Sequence, residues 1–206
     1  VIVKPDAVRL LLRHFTTPDM AAVGGRVDIS NKHENWLTRM QSIKYFYSYY
    51  FTKGLEPAYK SVMCLSGCLT AYRRSVLLEL EPILEERAVM GVPIKYGEDR
   101  FLTRHIVKAG YKTTMDLDAI CQTKAVESLE DYFAQQLRWR RSNIVDYIGG
   151  FSHVWKQHPA VAIHYFSCMA GLLFYPTLIT FSLLYGWFWT LIMAQVGLNA
   201  AMGVVY

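Results

Sequence analysis

Two short stretches of the chain carry residue types that could do chemistry. In KYGEDRFLTRHIVKAGY, from Lys95 to Tyr111, Gly97 is followed by Glu98, Asp99 and Arg100. Paired acids at the mouth of a helix have two readings. In a first turn they complement the unpaired N–H groups and the helix dipole. A carboxylate beside a bound hydroxyl can instead serve as a general base, taking the proton while the oxygen attacks. In the second stretch, AQQLRWRRS, Gln135, Arg138 and Trp139 stand at i, i+3 and i+4 and share one helix face. A guanidinium binds phosphate through two parallel hydrogen bonds. An indole stacks on the apolar face of a sugar, and a carboxamide binds hydroxyls. The same face would also suit an amphipathic helix beside a membrane, its arginines on lipid phosphates. A third stretch, SVMCLSGCLT, breaks at Ser66-Gly67, where glycine lets a ligand or another strand come close.

The elements that must position these groups are legible in outline. Val1-Ile2-Val3 reads as a buried strand. Pro5 suits the first turn of a helix whose apolar face is Val8, Leu11, Leu12 and Phe15. MAAVGGRVDIS reads as a second strand with a break at Gly24-Gly25. ENWLTRMQSIKYFYSYYF is a long helical pattern. Its stripe of Trp36, Met40, Ile43 and Phe46/Tyr47 is expected to face the core, with a ligand shelf as the alternative. Residues 61–65 read as a strand entering the Ser66-Gly67 break, followed by a short strand and a helix. GEDRF opens a helix that Gly110 closes, and YKTTMDLDAICQT is a further strand. Ser128 and Asp131 read as a capping box that starts the helix carrying Gln135, Arg138 and Trp139, and Gly149-Gly150 should stop it. Strands alternating with helices predict an α/β layer with a largely parallel sheet. Both Ser66-Gly67 and Gly97–Asp99 fall where the carboxyl edge of such a sheet is expected.

Charge is distributed unevenly over the 206 residues. Gln157 to Tyr206 contains no Asp, Glu, Lys or Arg, so the net charge of +5 lies entirely in the first 156 residues. A modest basic excess fits an anionic ligand or an anionic membrane surface. The basic residues form no long run, so nucleic acid is not expected as a partner. A membrane helix needs about 20 apolar residues, and the uncharged tract is long enough for two. Pro176 and Gly186 are tolerated in such helices, and Tyr175, Tyr185, Trp187 and Trp189 resemble interfacial aromatics. Arg138–Arg141 and Lys156, just ahead of the tract, place the preceding domain on the cytoplasmic side. Cys64, Cys68, Cys121 and Cys168 have neither zinc spacing nor a disulfide framework. Cys64 and Cys68 read as buried thiols in a reducing compartment. Val1 and Tyr206 both fall inside apolar segments, so the chain is expected to be a piece of a longer protein.

The segments SGCLTAYRRS (66–75), YGEDRFLT (96–103), AGYKT (109–113) and QQLRWRRS (135–142), followed by apolar spans, occur in an order with a known parallel. This order resembles that of the processive family-two glycosyltransferases, the membrane synthases of hyaluronan, chitin and cellulose. The likeness is greatest to hyaluronan synthases and rhizobial chitin-oligosaccharide synthases. It implies a GT-A-type, Rossmann-like α/β domain followed by transmembrane helices. Residues 1–150 would be the C-terminal half of the cytosolic domain, 151–160 an interfacial linker, and 161–206 one to two membrane helices of a multi-pass protein. The implied reaction is inverting transfer from a UDP-sugar, UDP-GlcNAc with or without UDP-GlcUA, to a growing polysaccharide. The aromatic helix 34–51 leans the reading toward hyaluronan. Chitin or chitooligosaccharide synthesis, a non-processive glycolipid transferase and an inactive membrane subunit are the rivals.

By the same resemblance Asp99 would be the general base, with Glu98 orienting it or capping the helix. Arg138 would hold the diphosphate, Trp139 would stack on the acceptor sugar and Gln135 would help position the two. Ser66, Gly67 and Cys68 would line the acceptor cleft, and Arg100 would be structural. The family uses Mg²⁺ or Mn²⁺ on an Asp-x-Asp motif ahead of the acceptor segment. No such motif stands there; Asp116 and Asp118 come after the base. The metal ligands are therefore expected upstream of Val1, with none in these residues, and the chain by itself is expected not to turn over a UDP-sugar. The expected partners are the donor, the polysaccharide and the lipid bilayer.

Overall fold

The computed structural model describes residues 1–53, 56–89, 92–94 and 96–205; Lys95 and Tyr206, the ends of two segments discussed above, lie outside them. Strands β1 (Ile2–Val3), β2 (Met20–Ile29), β3 (Thr70–Tyr72) and β6 (Lys112–Thr123) form one sheet in the order β1-β6-β2-β3. Two short strands, β4 (Ala88–Val89) and β5 (Val92–Pro93), pair with each other. The helices are α1 (Ala7–Leu12), α2 (Trp36–Tyr47), α3 (Arg74–Glu85), α4 (Glu98–Lys108), α5 (Leu129–Gly150), α6 (Pro159–Leu184) and α7 (Phe188–Val205). Helix α1 packs on β6 and β2, α2 on β2, α4 on β6 and α3, and α5 on α4.

The sheet is mixed rather than largely parallel. Only β2 and β6 run parallel; β1 on β6 and β3 on β2 are antiparallel. The alternation rule assumes that each helix crosses between neighbouring strands. Here α1 joins β1 to β2, which have β6 between them, so the rule does not fix their sense. Nor is β1 buried: Ile2 is 69% exposed, because the strand lies at the edge and pairs through two residues. In α1 the buried residues are Ala7 and Leu11, while Val8 and Leu12 face outward.

Helix α2 is turned differently from the expected stripe. Leu37, Thr38, Gln41 and Ser42 are buried, whereas Trp36 is 66% exposed. The polar residues can face inward because they find partners. Gln41 donates to the carbonyls of Leu37 (3.2 Å) and Val126 (2.8 Å), and Thr38 closes a capping box with Asn35. The stripe meets the end of the chain instead: Ile43 lies beside Gly203, and Tyr47 Oη donates to the carbonyl of Met202 at 2.9 Å.

Gly24 and Gly25 do not break β2. The strand runs through them, with a register shift against β6 between Gly25 and Arg26. A Cβ on Gly24 would lie 2.7 Å from Leu65 Cδ2, and one on Gly25 would lie 2.5 Å from the carbonyl of Ala119. Their use is close approach. They seat Leu65 and Leu69, and so the Ser66–Cys68 turn between them, over the middle of β2 and not beyond its carboxyl end. Residues 61–65 form no strand; Ser61 makes a single parallel bridge to Thr113, and the chain bends at Met63. Val23, Val27, Leu65 and Ile106 are fully buried in the core between these elements, each contributing about 1.5–3 kcal/mol of transfer free energy. Cys64 and Cys68 are only partly buried, and Cys121 on β6 is the cysteine in the core.

The start and stop signals of α4 and α5 act locally. Gly97 (φ +73°) precedes α4, and Gly110 (φ +88°) follows it in the left-handed conformation. Ser128 Oγ accepts the N–H of Asp131 at 3.1 Å and caps α5. Gly149 and Gly150 remain helical and do not act as a break. They make room for the guanidinium of Arg104 and the phenol of Tyr165.

After a 3₁₀ turn at Val154–Lys156, α6 begins. Its first turns are held to the domain by buried Val161 and Tyr165, whose phenol donates to the carbonyl of Tyr147 at 2.7 Å. The rest of α6 is largely exposed and apolar, with Ser182 buried near its end. Among the described residues it is the one helix long and apolar enough to cross a membrane; α7 is a shorter apolar helix. Tyr185, Trp187 and Trp189 cluster at the turn between them, while Tyr175 lies within α6.

Candidate active site

The two acids of the first turn of α4 diverge. Glu98 is directed toward solvent and reaches Arg87, Oε2 to Nη2 at 3.7 Å. Asp99 turns inward to the Ser66–Cys68 segment. Its Oδ2 accepts the N–H of Gly67 at 3.1 Å, and its Oδ1 accepts the N–H of Arg100 at 2.9 Å. One turn later Thr103 Oγ1 donates to the carbonyl of Asp99 (2.6 Å) and accepts the N–H of Leu65 (3.3 Å). The mouth of α4 is thus tied to the turn on both sides of the carboxylate. Tyr72 on β3 stands beside it; burial pushes its phenol up to about 12, and the charge of Asp99 adds to the shift.

Helix α2 and the π-helical turn after it supply a second wall. Tyr49 is buried, with its hydroxyl bonded to the side chain of Ser66, and burial raises its pKa. Tyr45 lies near Cys68, and burial pushes its hydroxyl up to about 12. The ring of Tyr45 also meets Trp139, centroids 6.4 Å apart and tilted by 55°. Helix α5 thereby brings its Gln-Arg-Trp face to the same wall. Gln135 Oε1 is buried without a hydrogen-bond partner among the described residues. Arg138 is exposed and makes no ion pair with a described acid.

The α4 mouth and this face of α5 are neighbours. The missing side chain of Gly97 leaves room for Ser142, which stands one turn beyond Arg138, about 6 Å along the helix axis. Gly97→Ala would drive a Cβ into Ser142 Oγ and force a left-handed conformation on an alanine. It is expected to destabilise the protein by about 2 kcal/mol, with part of the loss recovered in Gly97→Ala/Ser142→Gly. A thermal melt unchanged within about 0.5 kcal/mol would refute the packing described.

The Arg100 side chain is close to the charges of Asp146 and Asp99. Arg104 forms a buried ion pair with Asp146, Nε to Oδ1 at 3.0 Å. Asp116 accepts from Arg13 (2.8 Å) and His14 (2.8 Å). Burial works against its ionisation, but these partners hold the carboxyl below the usual range. Asp116 is therefore architectural, whereas the side chain of Asp118 is 82% exposed. Among the described residues no three His, Cys, Asp or Glu converge to hold a metal ion. These residues do not fit the divalent cation that the resemblance implies.

Chemically, the arrangement offers a carboxylate with lone pairs left over beside an open backbone turn, aromatic walls, an unpaired buried amide oxygen and an unpaired guanidinium. An amide oxygen left unbonded in the fold is an acceptor suited to a hydroxyl. The sequence reading named Asp99, Glu98, Ser66, Gly67, Cys68, Gln135, Arg138 and Trp139. The fold brings Asp99 onto the Ser66–Cys68 turn, sets Trp139 against Tyr45 with Gln135 and Arg138 on the same helix, and turns Glu98 toward Arg87. It adds Tyr45, Tyr49, Tyr72 and Thr103, of which the aromatic load of α2 gave a sign without a direction.

Comparison with known proteins gives a consistent result. Residues 1–142 match the family described as glycosyltransferase like family 2. An N-acetylglucosaminyltransferase of Rhizobium sp. (strain N33) is 36% identical over 141 residues, covering 68% of this chain and 31% of that protein. An N-acetylglucosaminyltransferase of Rhizobium meliloti (strain 1021) is 36% identical over 141 residues, covering 68% of this chain and 33% of the relative. One from Bradyrhizobium diazoefficiens is 36% identical over 145 residues, covering 70% and 30%. The chain matches about a third of the length of these relatives.

Proposed function

The chain belongs to the glycosyltransferase-like family 2, and on that premise we propose that it forms the acceptor side of an inverting, membrane-bound N-acetylglucosaminyltransferase. The observation that carries this reading is the Asp99 carboxylate on the N–H of Gly67, in a region also bounded by Tyr45 against Trp139. The acceptor hydroxyl would lie over the Ser66–Cys68 turn. Its oxygen attacks the anomeric carbon of UDP-GlcNAc, the bond to the diphosphate breaks, UDP departs, and the hydroxyl proton passes to Asp99. One displacement inverts the anomeric configuration. Alignment of the two sugars supplies much of the acceleration, and Arg138 meets the charge of the departing diphosphate. Gln135 Oε1 accepts a sugar hydroxyl. Glu98, paired with Arg87, acts on the helix and not on the substrate. In the whole protein the diphosphate would carry Mg²⁺ or Mn²⁺ on ligands outside these residues.

We also propose that α6 crosses a membrane with residues 1–150 on its cytoplasmic side, where Arg138–Arg141 and Lys156 adjoin the bilayer. Helix α7, about 27 Å long, returns toward that side, in keeping with the Tyr47–Met202 contact.

Product analysis of the full-length protein tests the reaction. UDP-GlcNAc alone is expected to yield N-acetylglucosamine oligomers, as the names of the relatives suggest. Polymer formed only after addition of UDP-GlcUA would support a hyaluronan-type product instead, and no incorporation from either would sink the transferase reading. In the same assay Trp139→Ala should loosen the hold on the acceptor roughly tenfold, equivalent to about 1.4 kcal/mol, and shorten the products. An unchanged length distribution would remove Trp139 from that role.

A further inference from the structure

Helices α4 and α5 lie side by side in the same direction, closely packed where Gly97 meets Ser142 and where Gly149 meets Arg104. Between these points the seam opens into a cavity of about 330 Å³, closed on one side by the β4–β5 hairpin. Neither Asp99 nor Trp139 lines it. Its walls are mostly apolar, including Phe101, Val145, Ile144 and Ile148, yet three arginines, Arg87, Arg100 and Arg104, also line it. Asp146 neutralises Arg104, and Glu98 reaches only Nη2 of Arg87 at 3.7 Å. Arg87 Nε donates to the carbonyl of Ile94 at 2.8 Å, but its Nη1 is buried with no partner among the described residues. A buried guanidinium N–H without an acceptor is costly, and an anion would satisfy it.

The mouth of the cavity says where that anion comes from. Ile144 and Ile148 belong also to an outward stripe of α5 with Phe133 and Leu137, which Phe151 and Trp155 extend beyond the helix end; Phe133 is 66% and Ile148 73% exposed. Arg140 and Arg141 flank the stripe, and the exposed apolar surface of α6 continues it. An amphipathic helix with basic flanks is the form that rests in the headgroup region of a bilayer.

We propose that the α4–α5 seam binds one anionic phospholipid, its phosphate on Arg87 Nη1 and its chain over Phe101, Ile144 and Ile148. This rests on the membrane placement of α6 proposed above. The bound lipid would brace α4, whose first turn carries Asp99, against α5.

The test uses the full-length protein in nanodiscs containing equal phosphatidylglycerol and phosphatidylcholine, extracted and weighed by native mass spectrometry. The wild type should retain phosphatidylglycerol about fivefold in preference to phosphatidylcholine, the effect of roughly one basic side chain on an anionic lipid. Arg87→Gln should abolish the preference and Arg87→Lys should restore most of it. Equal retention of both lipids, or a preference untouched by Arg87→Gln, would overturn the proposal. Displacement of the lipid by millimolar inorganic phosphate would also overturn it, in favour of a free-phosphate site. Vesicle flotation distinguishes failure of the underlying premise: a protein that does not float with vesicles of either lipid refutes the membrane placement itself.

Discussion

Asp99→Asn is expected to lower sugar incorporation by the full-length protein roughly 10²–10⁴-fold, the span usual for loss of a general base, while leaving the fold intact. The side chain has two tasks that the substitution separates. As an acceptor for the N–H groups of Gly67 and Arg100, it ties the mouth of α4 to the Ser66–Cys68 turn. An asparagine carbonyl can still accept one of those bonds, and Thr103 still joins α4 to Leu65. As a base it takes a proton, which an amide cannot do. A thermal midpoint close to wild type, together with lost turnover at unchanged donor binding, is therefore the expected result. Glu98→Gln is the control. Its side chain faces solvent and Arg87, and its removal should change turnover by less than about threefold, the equivalent of a weak surface pair. Comparable losses in both variants would mean that the acids act together. Full activity of Asp99→Asn would refute Asp99 as the base, whereas the inactive-subunit rival predicts no incorporation by wild type or variant.

Arg104→Met should destabilise the protein by about 3–5 kcal/mol, because it strands the Asp146 carboxylate in the interior. Both side chains of the pair are nearly buried, and the guanidinium occupies the space that Gly149 leaves open. Burial lifts the Asp146 carboxyl to about 6, with Arg104 and Arg100 pulling in the other direction. A raised value in the folded state means that this group favours folding most below about pH 4. That contribution is lost as pH rises toward 6, and it stays lost above. At pH 7 the carboxylate is ionised and depends on its partner. Arg104→Met should push the folded value higher still, so its deficit should be largest near pH 7 and shrink near pH 4–5, where Asp146 takes up a proton. Chemical denaturation at the two pH values reads this directly. The double variant Arg104→Met/Asp146→Leu should recover much of the loss, since replacing both partners removes the stranded charge. A deficit that is the same at both pH values, or no recovery in the double variant, would show that the pair contributes by shape and not by charge.

How much of this was legible in advance depends on the range of the interaction. The start of α4 at the acids, its close at Gly110 and the cap of α5 at Ser128 were readable, because each depends on the backbone preferences of a few adjacent residues. The uncharged tail was readable because composition alone suggests a helix suited to lipid. The facing of α2 was not. The helix meets two surfaces, its Leu37–Ser42 side on the sheet and its apolar stripe on α7, and the periodicity shows a stripe without saying which surface it meets. Nor was the sense of β1 and β3, since short edge strands carry almost no pattern.

By itself the sequence determined which residues could act: a glycine with two acids, a Gln-Arg-Trp helix face, a Ser-Gly-Cys turn and an apolar end. Local spacing was enough for that. The tertiary structure alone decided that Asp99 and not Glu98 turns toward Gly67, 32 positions away, and that Gly24 and Gly25 seat the turn. It alone paired Arg104 with Asp146 across 42 positions. These arrangements depend on contacts between segments far apart in the chain. Such contacts are set by packing volume and by the partners left for buried polar groups, which no local pattern encodes.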